Sequence, residues 1–536
     1  MNFPSHTLYA DDIMIFCKGK NSNIDPLLNL FGRYAAMSGQ IISPAKSTIY
    51  AGSISYSRLL SIAGKLGFNI GSLPFIYLGV PIFKGKPKAI HLKPIADKVK
   101  VKLAAWKASL LSIAGRVQLV KSIIYGMLMH SLLIYSWPLN LIKDLEMCVR
   151  NFIWSGDITK RKLVTVSWAK VCKSVAEGGL GIRSLVKLNE DSNLKLCWDF
   201  LHSTDHWAVL LRSRVQRNLK IINHHIYSSI WSGIKGNYSD ILNNSSWVLG
   251  KGDCINFWLD SWCGDPIAHS LGIPAYLYPH LTSTVNLFLA DNHWLIPPIL
   301  LHRYPQLSNI LSNVSIPIDS KPDELMWNNS SSGSLSLKDA YLYQDPVGHK
   351  LHWSKIIWNI SIPPSRSLLV WRLIHHKLPT DDNLLVRGCH LPSVCSICFV
   401  DNETSPHLFF QCSFASYLWR WFLSLINIHC SISCFDDLWS ICNRGWGPQC
   451  KFVIIAAIIN ILNTIWQFRN QCRFNGTKPL LNSAMALIIA KTSFSGNATK
   501  STTNSSMVDF RILKAFNVSL HPPNAPSIKE VVWSPL

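Results

Sequence analysis

Hydrophobic and polar positions alternate in short bursts at the start of the chain and lengthen into helical stripes further on. Two apolar, β-prone runs, Leu8–Tyr9 and Ile13–Phe16, flank Ala10-Asp11-Asp12 and predict a hairpin with the two carboxylates at its tip. Residues 84–155 read as helical. Over Ile90–Leu110 the apolar positions Ile95, Val99, Leu103 and Trp106 lie close to helical spacing, with Lys93, Lys98, Lys100, Lys102 and Lys107 on other faces. Gly115-Arg116-Val117 leads into a second long helix, Gln118–Tyr135, which Trp137-Pro138 stops. Gly250-Lys251-Gly252-Asp253 reads as a turn between strands Trp247–Leu249 and Ile255–Leu259. A further helix is expected over Phe452–Arg469. Pro-rich residues 297–322 and the small, nearly uncharged residues 492–506 read as linkers.

The apolar runs Ile123–Trp137 and Phe452–Trp466 fall short of the roughly 20 residues a membrane span needs, and Asn460 and Asn463 interrupt the second. Both are expected to be buried helices, and no membrane partner is expected. Tryptophans 231, 247, 258, 262 and 327 recur among Asn, Ser and Gly. Such residues can stack on bases, but core positions are the commoner use. Glu177-Gly178-Gly179-Leu180-Gly181 lacks the spacing of a phosphate-cradling loop and is expected to be a tight turn.

Composition changes this picture in two ways. Lysine and arginine outnumber the acids 52 to 30, a net charge of +22, and this points to an acidic partner, most simply nucleic acid. A generally basic surface without a site is the plainer alternative. The opening Met1-Asn2-Phe3-Pro4-Ser5-His6 has no basic and apolar regions of a secretory signal. The 15 cysteines are odd in number and form no disulfide framework, so reduced thiols in the nucleus or cytoplasm are expected.

Four residues carry distinct chemistry. Cys395-x2-Cys398-x8-His407-x4-Cys412 offers three thiolates and an imidazole, a complete tetrahedral set for a structural zinc ion. Two residues between the first cysteines let both sulfurs face one ion. With all four positions filled by protein, the ion would order the segment and leave no place for a reacting water. The alternative is four half-buried residues in an aromatic core, and Cys389 and His390 lie near enough to replace one ligand.

The surrounding order is more specific. Gly333-Ser334-Leu335-Ser336-Leu337-Lys338-Asp339-Ala340-Tyr341 is followed by Trp353, Trp358 and the run from Ile362 to Thr380. Then come Arg387-Gly388, the cysteine pair, Glu403-Thr404 and His407-Leu408-Phe409-Phe410-x-Cys412. This resembles the zinc-binding domain of plant non-LTR (LINE-type) retrotransposon reverse transcriptases. Tyr9-Ala10-Asp11-Asp12, with His6 before it, resembles the catalytic hairpin of those enzymes. Ser38-Gly39, Ile41-Ile42 and Lys46-Ser47 resemble the following palm motif, although family members usually have Asn where this chain has Ser43. Pro74-Phe75-Ile76-Tyr77-Leu78-Gly79-Val80-Pro81 resembles the primer-grip hairpin. Residues 148–182 and the tract Trp466-x2-Arg469-Asn470-x3-Phe474 are also similar to the family pattern, and Pro522–Pro535 is similar to the lead-in to a ribonuclease H domain.

The resemblance implies an α+β multidomain chain. Residues 1–83 would form a partial reverse-transcriptase palm of β-hairpins plus helix, and 84–160 a helical thumb. Residues 161–329 would form a Trp-rich connecting region and 330–425 a small helical zinc-binding domain. Residues 426–536 would be a C-terminal helical segment and a linker towards a ribonuclease H domain. It implies RNA-directed DNA polymerase chemistry on an RNA and DNA template–primer duplex. Asp11 and Asp12 would hold Mg2+, and Lys46 would aid departure of pyrophosphate. Tyr77, Leu78 and Gly79 would hold the primer, and Lys98, Lys102, Lys107 and Arg116 would meet backbone phosphates. For any one lysine, a solvated helix face is the plain alternative. Two-metal chemistry needs a further carboxylate and fingers from upstream of the hairpin, and the given sequence supplies neither. The polymerase site is therefore expected to be incomplete as given. Retained zinc and nucleic-acid binding without catalysis, or a transposon-derived pseudogene product, are the other readings.

Overall fold

The computed structural model describes residues 5–523, apart from 107–109, 218–219, 223, 225, 291–292, 318–320 and 347. Lys107 lies outside the described residues, as does nearly all of Pro522–Pro535. The fold is helix-rich α+β. It divides into two compact units that interleave along the chain: one of 1–98, 127–143 and 185–346, the other of 99–126, 144–184 and 347–536.

The first unit begins with an antiparallel hairpin, His6–Tyr9 against Asp12–Ile15. A parallel pair follows, Thr48–Tyr50 beside Asn69–Gly71, joined through helix Tyr56–Leu66. A second hairpin pairs Phe75–Tyr77 with Val80–Ile82 across Leu78 and Gly79, both at positive φ, the backbone that a two-residue hairpin turn requires. The tryptophans are core, the commoner use, except that Trp247 is half-buried at the margin. Trp198, Trp231 and Trp327 share one buried cluster, and Trp258 and Trp262 share another with Phe257.

Two expectations fail in this unit. Strand Ser245–Val248 pairs with Glu324–Trp327, not with Ile255–Leu259. The Asp323 carboxylate accepts the N–H groups of Gly250, Gly252 and Cys254 at 2.8, 2.8 and 2.9 Å and holds the loop open. Asn256 Oδ1 then accepts from Trp258 and Leu259, which coils that stretch into the core. The Pro-rich residues 297–322 are not merely a linker. They contain helices Pro298–Arg303 and Gln306–Ser312, and Leu307 and Leu311 enter the second cluster.

Helix Ala89–Ala105 buries Leu92, Ala96, Val99 and Leu103, a stripe one residue away from part of the expected one; Ile95 and Trp106 sit at its margin. The next helix starts at Ile113, capped by Ser112 Oγ on the Gly115 N–H, so Gly115-Arg116-Val117 lies inside it. It runs through a π turn at Val120–Ile124 to Ile134.

The second unit is built on helix Pro448–Asn475. That helix and Ile113–Ile134 are each long and apolar enough to cross a membrane, longer than the apolar runs suggested. Of the most apolar window of Pro448–Asn475, 72% is buried inside the protein, as in a core helix. Helix Leu481–Ala498 packs against it. Residues 492–498 of the expected linker therefore belong to this helix, while 499–506 form no helix or strand. Thr492 and Ser495 are buried, and a Cβ on Gly496 would stand 2.6 Å from Val518. Small residues here leave room for the side chains of Val518 and Val453. Gly178-Gly179 forms the expected tight turn: Gly178 has φ 81°, and a Cβ on Gly179 would meet Lys173 O at 2.0 Å.

A candidate metal centre

Cys395, Cys398, His407 and Cys412 converge, with their donor atoms all within 4.8 Å of one another. Cys395 Sγ lies 4.0 Å from Cys412 Sγ, and Cys398 Sγ lies 3.3 Å from His407 Nε2. Sulfurs around a tetrahedral zinc would stand about 3.8 Å apart, so the cluster has the right size and donor set. Cys395, His407 and Cys412 are buried, and Cys398 is half-buried. Cys389 and His390 are not in the group.

Local backbone explains the convergence. The Cys395 N–H donates to Asp401 O at 2.7 Å and the Phe399 N–H to Cys395 O at 2.9 Å, with Phe399 at φ 56°, which folds the Cys-x-x-Cys stretch into a knuckle. His407–Gln411 is a π turn closed by the Cys412 N–H on His407 O at 2.7 Å. Cys412 then occupies the position just before helix Ser413–Leu425. Cys395 is held well below the ordinary thiol range, first by the Cys412 thiol and then by the Cys398 and Ile397 N–H groups, against burial. Asp401 Oδ2 lies 3.5 Å from His407 Nδ1, on the side of the ring away from the sulfurs. A carboxylate there fixes which ring nitrogen faces the centre.

The support beneath the cluster was not foreseen. Glu403, in the loop between the ligand pairs, is fully buried, and the Arg469 Nε–H donates to its two oxygens at 3.1 and 2.9 Å. Arg469 Nη2 also reaches the same carboxylate. Arg473 Nη1 donates to Asp381 Oδ1 at 2.6 Å and to Glu403 Oε1 at 3.3 Å. Two cations thus balance two anions. The Ser405 N–H donates to Asp382 Oδ2 at 3.1 Å, and the Thr380 and Ser405 hydroxyls lie 3.0 Å apart. The loop is tied in this way to helix Pro448–Asn475 and to the start of helix Asp381–Leu385. The only sequence signal was a pair of arginines four residues apart ending an apolar helix; their partners lie 66 and 92 residues away.

The other candidate residues are not gathered in this manner. Asp11 and Asp12 are exposed at the hairpin tip, with Ala10 at φ 51° making the turn. Among the described residues no third carboxylate joins them in a metal-sized group, so they do not by themselves fit a magnesium centre. Lys46 is exposed on the short turn Pro44–Lys46. Tyr77 is half-buried in its strand, and Leu78 and Gly79 are exposed at their turn. Lys98 and Lys102 are exposed on their helix. Arg116 is half-buried and donates to Ile153 O at 3.1 Å, which directs it inward.

Comparison with known proteins agrees with the placement of the cluster. Residues 335–419 match the family model described as zinc-binding in reverse transcriptase. A protein of Arabidopsis thaliana named "Putative ribonuclease H protein" is 24% identical over 358 residues, 63% of this chain and 57% of the relative. The chain thus spans little more than half of that relative's length. An uncharacterized mitochondrial protein of the same plant is 30% identical over 131 residues, 23% of this chain and 84% of the relative.

Proposed function

The chain belongs to the reverse-transcriptase-related proteins of plant retrotransposons, and from that premise we propose that it is part of a LINE-type RNA-directed DNA polymerase that binds RNA and DNA. The observation that carries this reading is the Cys3His cluster, closed and well supported inside the family's zinc-binding segment. Cys395, Cys398, His407 and Cys412 would hold a zinc ion. Bound there, the ion would act as a cross-link that orders the segment and would take no part in bond making.

In this reading the +22 chain meets phosphates through exposed lysines, Lys98 and Lys102 among them, in the nucleus or cytoplasm. The hairpin Phe75–Ile82 holds the primer, with Tyr77–Gly79 at its turn. Asp11 and Asp12 contribute carboxylates to a polymerase site that a further carboxylate must complete, and Lys46 lies beside the incoming triphosphate. Residues 1–83 serve as palm and the helices of 84–160 as thumb. A second reading, zinc-ordered nucleic-acid binding without catalysis, draws support from the exposure of Asp11 and Asp12 and their lack of a third partner among the described residues.

Two assays on the same protein test the proposal. Binding of an RNA–DNA duplex should weaken as salt rises, and primer extension with Mg2+ should vanish in Asp11→Asn. Duplex binding without extension would favour the second reading. No salt-dependent binding would defeat both.

A further inference from the structure

Arg372, on helix Pro364–Ile374, has one hydrogen bond, from Nε–H to Lys377 O at 3.1 Å. Its terminal nitrogens meet no acceptor, and the side chain meets no carboxylate, among the described residues. The Trp154 ring, 5.8 Å from the guanidinium carbon, is its other charge-sensitive neighbour. Burial pulls the Arg372 pKa down to about 10. The side chain is half-buried, so its terminal N–H groups, free of protein acceptors, remain open to an anion that enters beside it.

The space for one is present. Arg372 lines a cavity of about 150 Å3 together with Ser112, Ser365, Leu368, Leu378 and Trp466. Ser112 caps the helix that begins at Ile113, and Ser365 lies in the first turn of helix Pro364–Ile374, after a proline that has no N–H. Two helix starts, each carrying partial positive charge, and two exposed serines therefore border the same space as Arg372. No acidic residue lines it.

We propose that this cavity binds a single phosphate group, with Arg372 as its charged anchor and the Ser112 and Ser365 hydroxyls as further donors. Pockets for whole drug-sized ligands run to roughly 300–1,000 Å3, so the volume suits one phosphate and the edge of an attached sugar. The apolar wall of Leu368, Leu378 and Trp466 would meet the sugar carbons. The proposal rests on the nucleic-acid reading above for the source of the phosphate, a backbone phosphodiester; inorganic phosphate offers the same chemistry.

The test is calorimetric titration of the full chain with inorganic phosphate and, separately, with a short RNA oligonucleotide at several salt concentrations. Arg372→Gln should weaken phosphate binding about tenfold or more. It should also reduce the salt slope of RNA binding by about 0.7, the loss of one phosphate contact, with zinc content unchanged. A purely structural role for Arg372 would lower the melting temperature and leave that slope alone. Ser365→Asp places a carboxylate in the same cavity. It should abolish phosphate binding and raise the melting temperature, and it carries the test if Arg372→Gln does not fold. Loss of phosphate binding with an unchanged RNA slope would assign the cavity to free phosphate. Phosphate binding that needs Arg372 in a protein that binds no RNA would keep the cavity and sink the nucleic-acid reading. No phosphate binding by the parent protein, or equal binding by both variants, would overturn the proposal.

Discussion

The cysteine–histidine cluster and the Asp11–Asp12 hairpin are both short motifs with known metal chemistry, and the structure treats them in opposite ways. The cluster is buried, its four donors face one point, and a second layer of charged residues fixes the loop that carries them. The hairpin is exposed, its two-stranded sheet pairs with no further strand among the described residues, and its carboxylates face solvent. The difference lies in where the partners sit along the chain. All four zinc-type ligands fall between Cys395 and Cys412, so a local fold can assemble them. A polymerase centre draws its carboxylates from distant strands, and two adjacent aspartates supply only part of it.

The largest effect is expected at the cluster itself. Cys395→Ser combined with Cys398→Ser should abolish zinc binding and unfold the segment around helix Ser413–Leu425. Structural zinc contributes about 10–16 kcal/mol of apparent binding energy in small zinc domains. Metal content and hydrogen exchange at that helix are the readouts.

Next in size is the ion pair beneath it. Glu403→Gln leaves Arg469 and Arg473 to share the Asp381 carboxylate and should cost about 3–5 kcal/mol in chemical denaturation. Replacing Glu403 and Arg469 together with apolar residues of similar volume should cost less, because no unpaired charge remains.

A half-buried carboxylate in the same unit as Asp11 and Asp12, Asp260, behaves differently from them. Burial raises the Asp260 carboxyl to about 6, opposed by the Asn256 N–H. The folded state therefore holds this proton more tightly than the unfolded chain. The stability it contributes is present at low pH and is lost as pH rises from about 4 through 6, by at most about 3 kcal/mol. Asp260→Asn should raise stability at pH 7 and change little at pH 4, as melting curves at the two values would show.

The smallest effect is expected at the hairpin. Asp11→Asn and Asp12→Asn should leave stability within about 0.5 kcal/mol, since both side chains are exposed. A larger loss in denaturant unfolding would mean that the carboxylates serve the fold.

What could be read from the sequence follows the same division. The ligand set was legible because four residue types at short spacing specify one chemistry. The first hairpin followed from two β-prone runs flanking Ala10-Asp11-Asp12, and the second from the resemblance of Pro74–Pro81 to a family motif. Glu403 and Arg469 could not be matched, because a buried pair separated by 66 residues exists only once helix Pro448–Asn475 is packed. Thr492–Gly496 looked like a linker because a close helix contact and a flexible tether both favour small, uncharged side chains. Strand Ser245–Val248 was given the wrong partner because the glycines of the Gly250–Asp253 loop suggest a local turn, while the group that organises that loop, Asp323, lies some 70 residues on.

X-ray absorption at the zinc edge of the purified protein reads the ligands of the cluster directly. About one zinc per chain is expected, with three sulfurs near 2.3 Å and one nitrogen near 2.0–2.1 Å. A protein that folds with no zinc, or zinc bound mainly by oxygen, would contradict the account.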